Sequence, residues 1–87
     1  MKIHFIGIGG IGVSALARYY LAKGHEVSGS DLVSSEITQV LKKRGVKIFI
    51  GKHKKNNLPK SVDSVIYSPA VQSNNPELKI AKKLKIK

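Results

Sequence analysis

Three glycines near the start of the chain have a spacing that suits phosphate binding. Gly7, Gly9 and Gly12 form the pattern G-x-G-x-x-G, where a β-branched apolar run gives way to a segment with helical periodicity. Here Gly7 allows a tight turn, Gly9 lets the backbone approach an anion, and Gly12 lets helix and strand pack closely. We expect free N–H groups near Gly10, Ile11 and Gly12 to bind a phosphate, aided by the helix dipole. The alternative is a tight turn with a purely structural role.

The same segment lacks the lysine of an ATP-hydrolysing P-loop. Gly7 and Gly12 have the glycine spacing of that motif, but Val13 occupies the lysine position, before Ser14. Without the lysine, no side-chain cation reaches the β- and γ-phosphates. We therefore expect no ATP hydrolysis and no catalytic residue here. The rest of the chain offers no nucleophile–base pair, no carboxylate pair and no metal-ligand spacing among its histidines.

Further polar residues follow the predicted strands. Asp31 lies about twenty residues beyond Gly12, where an acid can accept hydrogen bonds from ribose hydroxyls or a base N–H. The alternative is an aspartate that enters a turn or helix. Ser30 is a weaker candidate of the same kind. His4 lies within a strand and is expected to be structural, and His53, in a polar connection, is more typical of plain surface.

Segments with the hydrophobic period of a strand alternate along the chain with segments that have the period of a helix. Buried strands are predicted at residues 3–8, 26–28, 46–50 and 62–67. The first helix is predicted over residues 11–23 and ends at Gly24. Its predicted packing face comprises Ala15, Leu16, Ala17, Tyr19 and Tyr20. The second helix is capped by Ser34 or Ser35 and stops at Gly45. The third begins at Asn75-Pro76-Glu77, with the acid favourable to the helix dipole and an apolar side formed by Leu78, Ala81 and Leu84.

This order of elements predicts an α/β fold, a Rossmann-like parallel β-sheet with helices on both faces. Residues 85–87 resemble the opening of another strand. We therefore expect one domain over residues 1–87, truncated before its last strand and belonging to a longer polypeptide.

The composition excludes several classes of protein. Cysteine is absent, which excludes a disulfide scaffold. No stretch approaches the ~20 apolar residues of a membrane helix, so we expect a cytoplasmic protein without a membrane partner. The net charge is +11, but only two of the 16 basic residues are arginine and no aromatic residues interleave with the lysines. This favours a solvated surface over a nucleic-acid-binding module, which stays an alternative that rests on charge alone.

Four segments together resemble the start of the Mur ligases, in particular those that join L-alanine to UDP-N-acetylmuramate. These segments are IHFIGIGGIGVSALA at residues 3–17, VSGSD at 27–31, YSPAV at 67–71 and NPE at 75–77. They occur in order and at near-family spacing, so the resemblance covers almost the whole chain. It is more specific than three glycines.

The resemblance implies the first of three domains in an ATP-dependent ligase of peptidoglycan biosynthesis. This domain would bind UDP-N-acetylmuramate, whereas ATP and Mg²⁺ would bind a central domain and L-alanine would bind with help from a C-terminal domain, both absent here. The fragment alone would have no cofactor and no activity. The implied substrate-binding residues approach the diphosphate, lie near the uridine or line the same crevice: Gly9, Gly10, Ile11, Gly12, Ser14, Ser30, Asp31, His53, Ser68, Pro69 and Ala70.

Two positions depart from the family pattern. Val13 replaces the methionine that usually follows the glycines, which we interpret as a packing change. Lys52 is one extra residue between Gly51 and His53, so the role of His53 does not carry over directly. Two further alternatives stay open, an NAD(P)-binding domain of an oxidoreductase or regulatory protein, and the related ligase that recycles the murein tripeptide.

Overall fold

The computed structural model describes residues 1–83, apart from the side chain of Lys55. The strands are β1 (Lys2–Ile6), β2 (Glu26–Asp31), β3 (Lys47–Ile50) and β4 (Ser64–Tyr67). The helices are α1 (Ile11–Ala22), α2 (Glu36–Lys43) and α3 (Pro76–Lys83), and a 3₁₀ turn covers Lys55–Asn57. Within this part of the chain the strands form one parallel sheet in the order β3-β2-β1-β4. The prediction of a parallel α/β sheet is confirmed.

The central strand β1 presents different chemistry to the two faces of the sheet. Ile3 and Phe5 point to one face and pack with Val27 of β2 under α1 and α2. His4 points to the other face, where it contacts Glu77 of α3. Successive side chains of a strand alternate between faces, so these contacts place α1 and α2 on one side of the sheet and α3 on the other. Helices therefore cover both faces, as predicted. The first face is an ordinary apolar core, and the second combines apolar residues such as Ile6 and Leu78 with the buried polar cluster around Glu77.

The strand order brings four loops to one edge of the sheet. Because all strands are parallel, the residues after β1, β2, β3 and β4 emerge at the same, carboxyl edge. The chain runs outward from β1 to β3 and then returns to place β4 on the other side of β1. Ligands of open parallel sheets bind at such a reversal of strand order.

The packing face predicted for α1 is partly wrong. Its buried residues are Val13, Ser14 and Ala17, whereas Leu16 and Tyr19 are 44% and 55% exposed. Val13 and Ala17 are four residues apart and lie on one helical stripe, one turn above the other. The predictions for Ala17 and Tyr20 are confirmed, because Ala17 is buried and Tyr20 packs partly buried against the core. The predictions for Ala15, Leu16 and Tyr19 are wrong, because these residues lie on the solvent side of the helix.

Strand β2 is longer than predicted, because Gly29 does not end it. Gly29 is buried within β2 and pairs with Phe5 of β1. A Cβ on Gly29 would lie 2.8 Å from the Cβ of Ile8 and 2.9 Å from the carbonyl oxygen of Phe5. Glycine is therefore needed here for the close approach of the chain that follows β1.

The predicted helix ends agree with the structure. Gly24 and Gly45 have φ of +90° and +105°, in the left-handed region that glycine adopts without strain. Ser35 is the N-cap of α2, and its hydroxyl accepts the N–H of Thr38. Leu78 and Ala81 are buried as predicted. The predictions for Leu84 and for a strand opening at 85–87 lie outside the described residues.

Candidate functional site

A crevice of about 870 Å³ lies at the carboxyl edge of the sheet. Loops that follow all four strands line this crevice. Its lining residues are Gly7, Gly10, Asp31, Leu32, Lys52, His53, Ser68, Ala70, Val71, Gln72, Asn74, Asn75 and Pro76. The structure thus brings together five predicted site residues from four separate segments, Gly10, Asp31, His53, Ser68 and Ala70.

The glycine loop, residues 7–12, is held by hydrogen bonds to the end of β2. Gly7 has φ of +76°, which confirms the tight turn predicted there. The N–H groups of Gly7 and Ile8 both donate to the carbonyl oxygen of Ser30, at 2.8 and 2.9 Å. Gly10 N–H donates to the carbonyl oxygen of Gly7 at 3.1 Å. The prediction that the Gly10 amide is free is therefore wrong.

The first turn of α1 begins next to the crevice, which the N-cap Gly10 lines, whereas Ile11 and Ser14 line a separate pocket between α1 and α2. Gly10 is the N-cap in an extended conformation, and no side chain caps the helix. Within residues 1–83, the N–H groups of Ile11, Gly12 and Val13 have no acceptor, and the helical ladder begins with Ser14 N–H donating to Gly10 at 2.8 Å. Ile11 and Gly12 are exposed and the first turn has no acidic residue. The positive end of the helix dipole therefore faces solvent beside the crevice, as anion binding requires.

Asp31 ties the glycine loop to the end of β2. Its Oδ2 accepts the N–H of Gly9 at 2.8 Å. A Cβ on Gly9 would lie 2.7 Å from the same oxygen, so the absence of a side chain at Gly9 makes room for Asp31. We had expected Gly9 to make room for an anion. A carboxylate has about four lone-pair positions, so Asp31 can still accept hydrogen bonds from a ligand.

The reason predicted for Gly12 is also wrong. A Cβ on Gly12 would meet no protein atom within 4 Å. Gly12 does not serve close packing of helix and strand, and the space beside it is open.

Two predicted site residues have buried hydroxyls with partners inside the protein. Ser14 Oγ donates to the carbonyl oxygen of Ile11 at 3.0 Å, and Ser30 Oγ donates to Glu77 at 2.6 Å. Ser30 contributes to the site through its carbonyl oxygen, which accepts the amides of the glycine loop. Ligand contacts of the Ser14 and Ser30 side chains stay predictions.

The turn after β4 carries the remaining predicted residues. Val71 N–H donates to the carbonyl oxygen of Ser68 at 3.0 Å, and Ala70 N–H approaches Ser68 Oγ at 3.3 Å. Pro69 is exposed between them. Ser68, Ala70 and Val71 of this turn line the crevice, and Pro69 is not among its lining residues.

Sequence reasoning missed the buried carboxylate of Glu77. It was assigned to the dipole of α3, yet it is fully buried and accepts hydrogen bonds from His4, Ser30, His53 and Asn57. Burial by itself raises the pKa of this carboxyl. The four hydrogen bonds outweigh burial and lower the pKa to about 2. Glu77 is thus an ionised carboxylate inside the protein.

One signal in the sequence could have indicated this cluster. His4 sits between Ile3 and Phe5 in a strand predicted to be buried. A buried imidazole needs polar partners, so an acid on a covering helix was to be expected. His4 is indeed structural, as predicted, and contacts Ser28 Oγ at 2.8 Å.

The described residues hold no group of three or more His, Cys, Asp or Glu side chains that could bind a metal ion. Among residues 1–83, no helix is both long and apolar enough to cross a membrane.

Comparison with known proteins identifies the family. The family model described as "Mur ligase family, catalytic domain" matches residues 2–87. The chain belongs to the Mur ligase family. Its resemblance to that family is therefore confirmed, whereas the alternative of an NAD(P)-binding domain finds no support.

Several members of the Mur ligase family are similar over nearly the whole chain. The UDP-N-acetylmuramate–L-alanine ligase of Campylobacter jejuni is 60% identical over 99% of this chain and 20% of its own length. That of Carboxydothermus hydrogenoformans is 50% identical over 99% of this chain and 18% of its own length. The chain therefore spans about a fifth of the length of these curated relatives.

Solved structures of Mur ligases confirm the fold. The UDP-N-acetylmuramate–alanine ligase MurC of Thermotoga maritima matches with a TM-score of 0.91 and 42% identity, over 99% of this chain and 20% of that one. A murein peptide ligase of Psychrobacter arcticus matches with a TM-score of 0.88 and 27% identity, over 100% of this chain and 18% of that one. The chain is similar to the N-terminal Mur ligase domain.

Proposed function

We propose that residues 1–87 form the UDP-N-acetylmuramate-binding domain of a ligase that joins L-alanine to this nucleotide sugar in peptidoglycan biosynthesis. The identity of 60% to a UDP-N-acetylmuramate–L-alanine ligase supports this reaction over the tripeptide-recycling one, since the murein peptide ligase is 27% identical. The partner is then a small molecule rather than a nucleic acid or a membrane. The cytoplasmic location stays a prediction.

The observation that carries the proposal is the pair of N–H groups of the exposed residues Ile11 and Gly12, which have no acceptor in the described residues and directly follow Gly10 of the crevice. Free N–H groups at the start of a helix suit the oxygens of a diphosphate. Asp31, which holds the N–H of Gly9 in the same loop, then accepts hydrogen bonds from the ribose or the base. His53 and the turn at 68–70 close the remaining side of the crevice.

The described residues do not fit ATP and Mg²⁺. Val13 of α1 stands where a P-loop lysine would, and its side chain is buried in the apolar core. The described part of the chain also lacks a cluster of acids for a metal ion. We propose that ATP, Mg²⁺ and L-alanine bind in other domains of the ligase, and that this domain alone has no catalytic residue.

Replacing Ile11 by proline tests the proposed diphosphate site. Ile11 is the first residue of α1, where proline is well tolerated, and Gly10 already has φ of −66° and ψ of 149°, the conformation that a residue before proline prefers. The side chain of Ile11 is 85% exposed, so little packing is lost. Ile11→Pro removes one donor and should weaken binding of UDP-N-acetylmuramate about 10- to 100-fold, as loss of a charged hydrogen bond does.

Ile11→Ala is the matched control, since it removes the same side chain but keeps the amide. Titration calorimetry should give wild-type affinity for Ile11→Ala, and thermal unfolding should show both variants folded. Equal affinity of the proline and alanine variants would contradict the proposed diphosphate site. Absence of binding by the folded wild-type chain would contradict the proposed function itself.

A further inference from the structure

The carboxylate of Glu77 joins four parts of the fold on the polar face of the sheet. Its Oε1 lies 2.7 Å from His4 Nε2 of β1 and 2.6 Å from Ser30 Oγ of β2. Its Oε2 lies 2.6 Å from His53 Nδ1 and 3.1 Å from Asn57 Nδ2, both in the connection between β3 and β4. Among residues 1–83, no buried side-chain nitrogen or oxygen lacks a partner. Four donors therefore converge on one carboxylate.

The chemistry of this cluster determines where the protons of the histidines lie. An ionised carboxylate can only accept hydrogen bonds, so His4 Nε2 and His53 Nδ1 must both carry hydrogen. In His53, Nδ1 also lies 3.1 Å from Ser30 Oγ, which already donates to Glu77. Within the described residues, Nε2 of His53 has no partner, and the His53 side chain is 13% exposed and lines the crevice.

We propose that Glu77 is a positioning residue of the nucleotide-sugar site, which holds Nδ1–H of His53 and so leaves Nε2 of His53 for a polar group of the ligand. This inference rests on the proposed function. The contact with Glu77 also gives a physical reason for the place of His53 in the crevice, because it holds the imidazole at the polar face of the sheet.

Nitrogen NMR of the histidine rings tests the positioning without a ligand. In the wild-type chain, long-range ¹H–¹⁵N spectra should show His53 protonated on Nδ1. In Glu77→Gln the proton should shift from Nδ1 to Nε2 of His53, because the amide group offers one acceptor oxygen in place of two and its NH₂ can donate to an unprotonated Nδ1. Glu26→Gln is the matched control, since Glu26 is exposed at the far end of β2, and its spectrum should equal that of the wild type.

Calorimetry with UDP-N-acetylmuramate tests the consequence for binding. Both His53→Ala and Glu77→Gln should weaken binding about tenfold, the effect of losing one strong hydrogen bond. The double variant should bind no more weakly than His53→Ala, because Glu77 acts through His53. Effects that add in the double variant would show that Glu77 stabilises the fold only and would overturn the proposal.

The wild-type spectrum tests the proposal even when the Glu77→Gln variant does not fold. A proton on Nε2 of His53, with Nδ1 unprotonated, would overturn it without any variant. Failure of the wild-type chain to bind the nucleotide sugar would instead refute the proposed function, while the NMR result would still show whether Glu77 orients His53.

Discussion

At the scale of single residues, Asp31 combines a structural contact with a place in the crevice. Its Oδ2 accepts the N–H of Gly9, and its Oδ1 lies 3.4 Å from Val33 N. The carboxylate therefore shapes the glycine loop on one side and faces the proposed ligand on the other. Separating the two roles requires a variant that keeps one of them.

Asp31→Ala should weaken binding of UDP-N-acetylmuramate about tenfold and lower the free energy of unfolding by about 1–2 kcal/mol, because Gly9 N–H loses its acceptor. Asp31→Asn keeps an oxygen for Gly9 and should retain most of the stability. Calorimetry and urea unfolding measure the two effects. Wild-type affinity and stability in the alanine variant would contradict both roles.

Two lysines in the same exposed connection differ in their relation to the crevice. Lys52 lines it, whereas Lys54 does not. Lys52→Ala should therefore weaken binding of the diphosphate ligand about threefold to tenfold at low salt, and less at high salt because the charges are screened. Lys54→Ala is the control with the same change in net charge. Equal effects of the two substitutions would point to general attraction by the basic surface.

The sequence predicts the glycine loop correctly, but not the reasons for its individual glycines. The tight turn at Gly7 follows from local spacing. A side chain does not fit at Gly9 because Asp31 approaches it from β2. A side chain does not fit at Gly29 because Ile8 approaches it from the loop after β1. Such contacts join residues far apart in sequence, and no local pattern carries them.

At the scale of elements, α3 is attached to the sheet by hydrogen bonds to an ionised carboxylate as well as by apolar packing. Leu78 and Ala81 supply the packing, and Glu77 supplies the contacts with β1 and β2. The side chain of Asn75 caps the helix by accepting Glu77 N–H at 2.9 Å. The stability of this attachment should depend on the charge of Glu77.

The stability of the chain should fall in acid because of Glu77. Hydrogen bonds lower the pKa of this buried carboxyl from 4.5 to about 2, so the folded state favours the ionised form. The resulting stabilisation is present above about pH 4.5 and is lost as the pH falls towards 2, by an amount on the order of 3 kcal/mol.

Urea unfolding between pH 2 and pH 6 measures this loss. Glu77→Gln cannot ionise, so its stability should vary less with pH over that range than the stability of Glu26→Gln, which removes an exposed carboxyl. The same pH dependence in both variants would contradict the account of Glu77.

The order and type of the elements could be predicted from the hydrophobic periods, since each element is encoded locally. The buried side of α1 could not, because it depends on how close the helix lies to the sheet. The polar face of the sheet was missed for a similar reason. His4 and Glu77 are neighbours only through the pairing of β1 with the rest of the sheet and the return of α3.

At the scale of the whole molecule, strand order determines where the ligand can bind. The order β3-β2-β1-β4 gathers the loops after all four strands at one edge, and the first turn of α1 opens at the same edge. The opposite edge has a smaller cavity of about 280 Å³, lined by residues that include Lys2, Glu26 and Lys47. At the carboxyl edge, α1 begins with N–H groups that have no acceptor in the described residues, and such a helix start is what an anion needs for binding.

Mapping the ligand by backbone amide NMR tests the central claim most directly. Titration of the ¹⁵N-labelled chain with UDP-N-acetylmuramate should shift the amide signals of Ile11 and Gly12 most strongly, together with those of Asp31, His53 and Ala70. An equal titration with NAD should cause smaller shifts at the same concentration. Shifts confined to Lys2, Glu26 and Lys47, or a stronger response to NAD, would contradict the assignment of this edge of the sheet to a uridine diphosphate sugar.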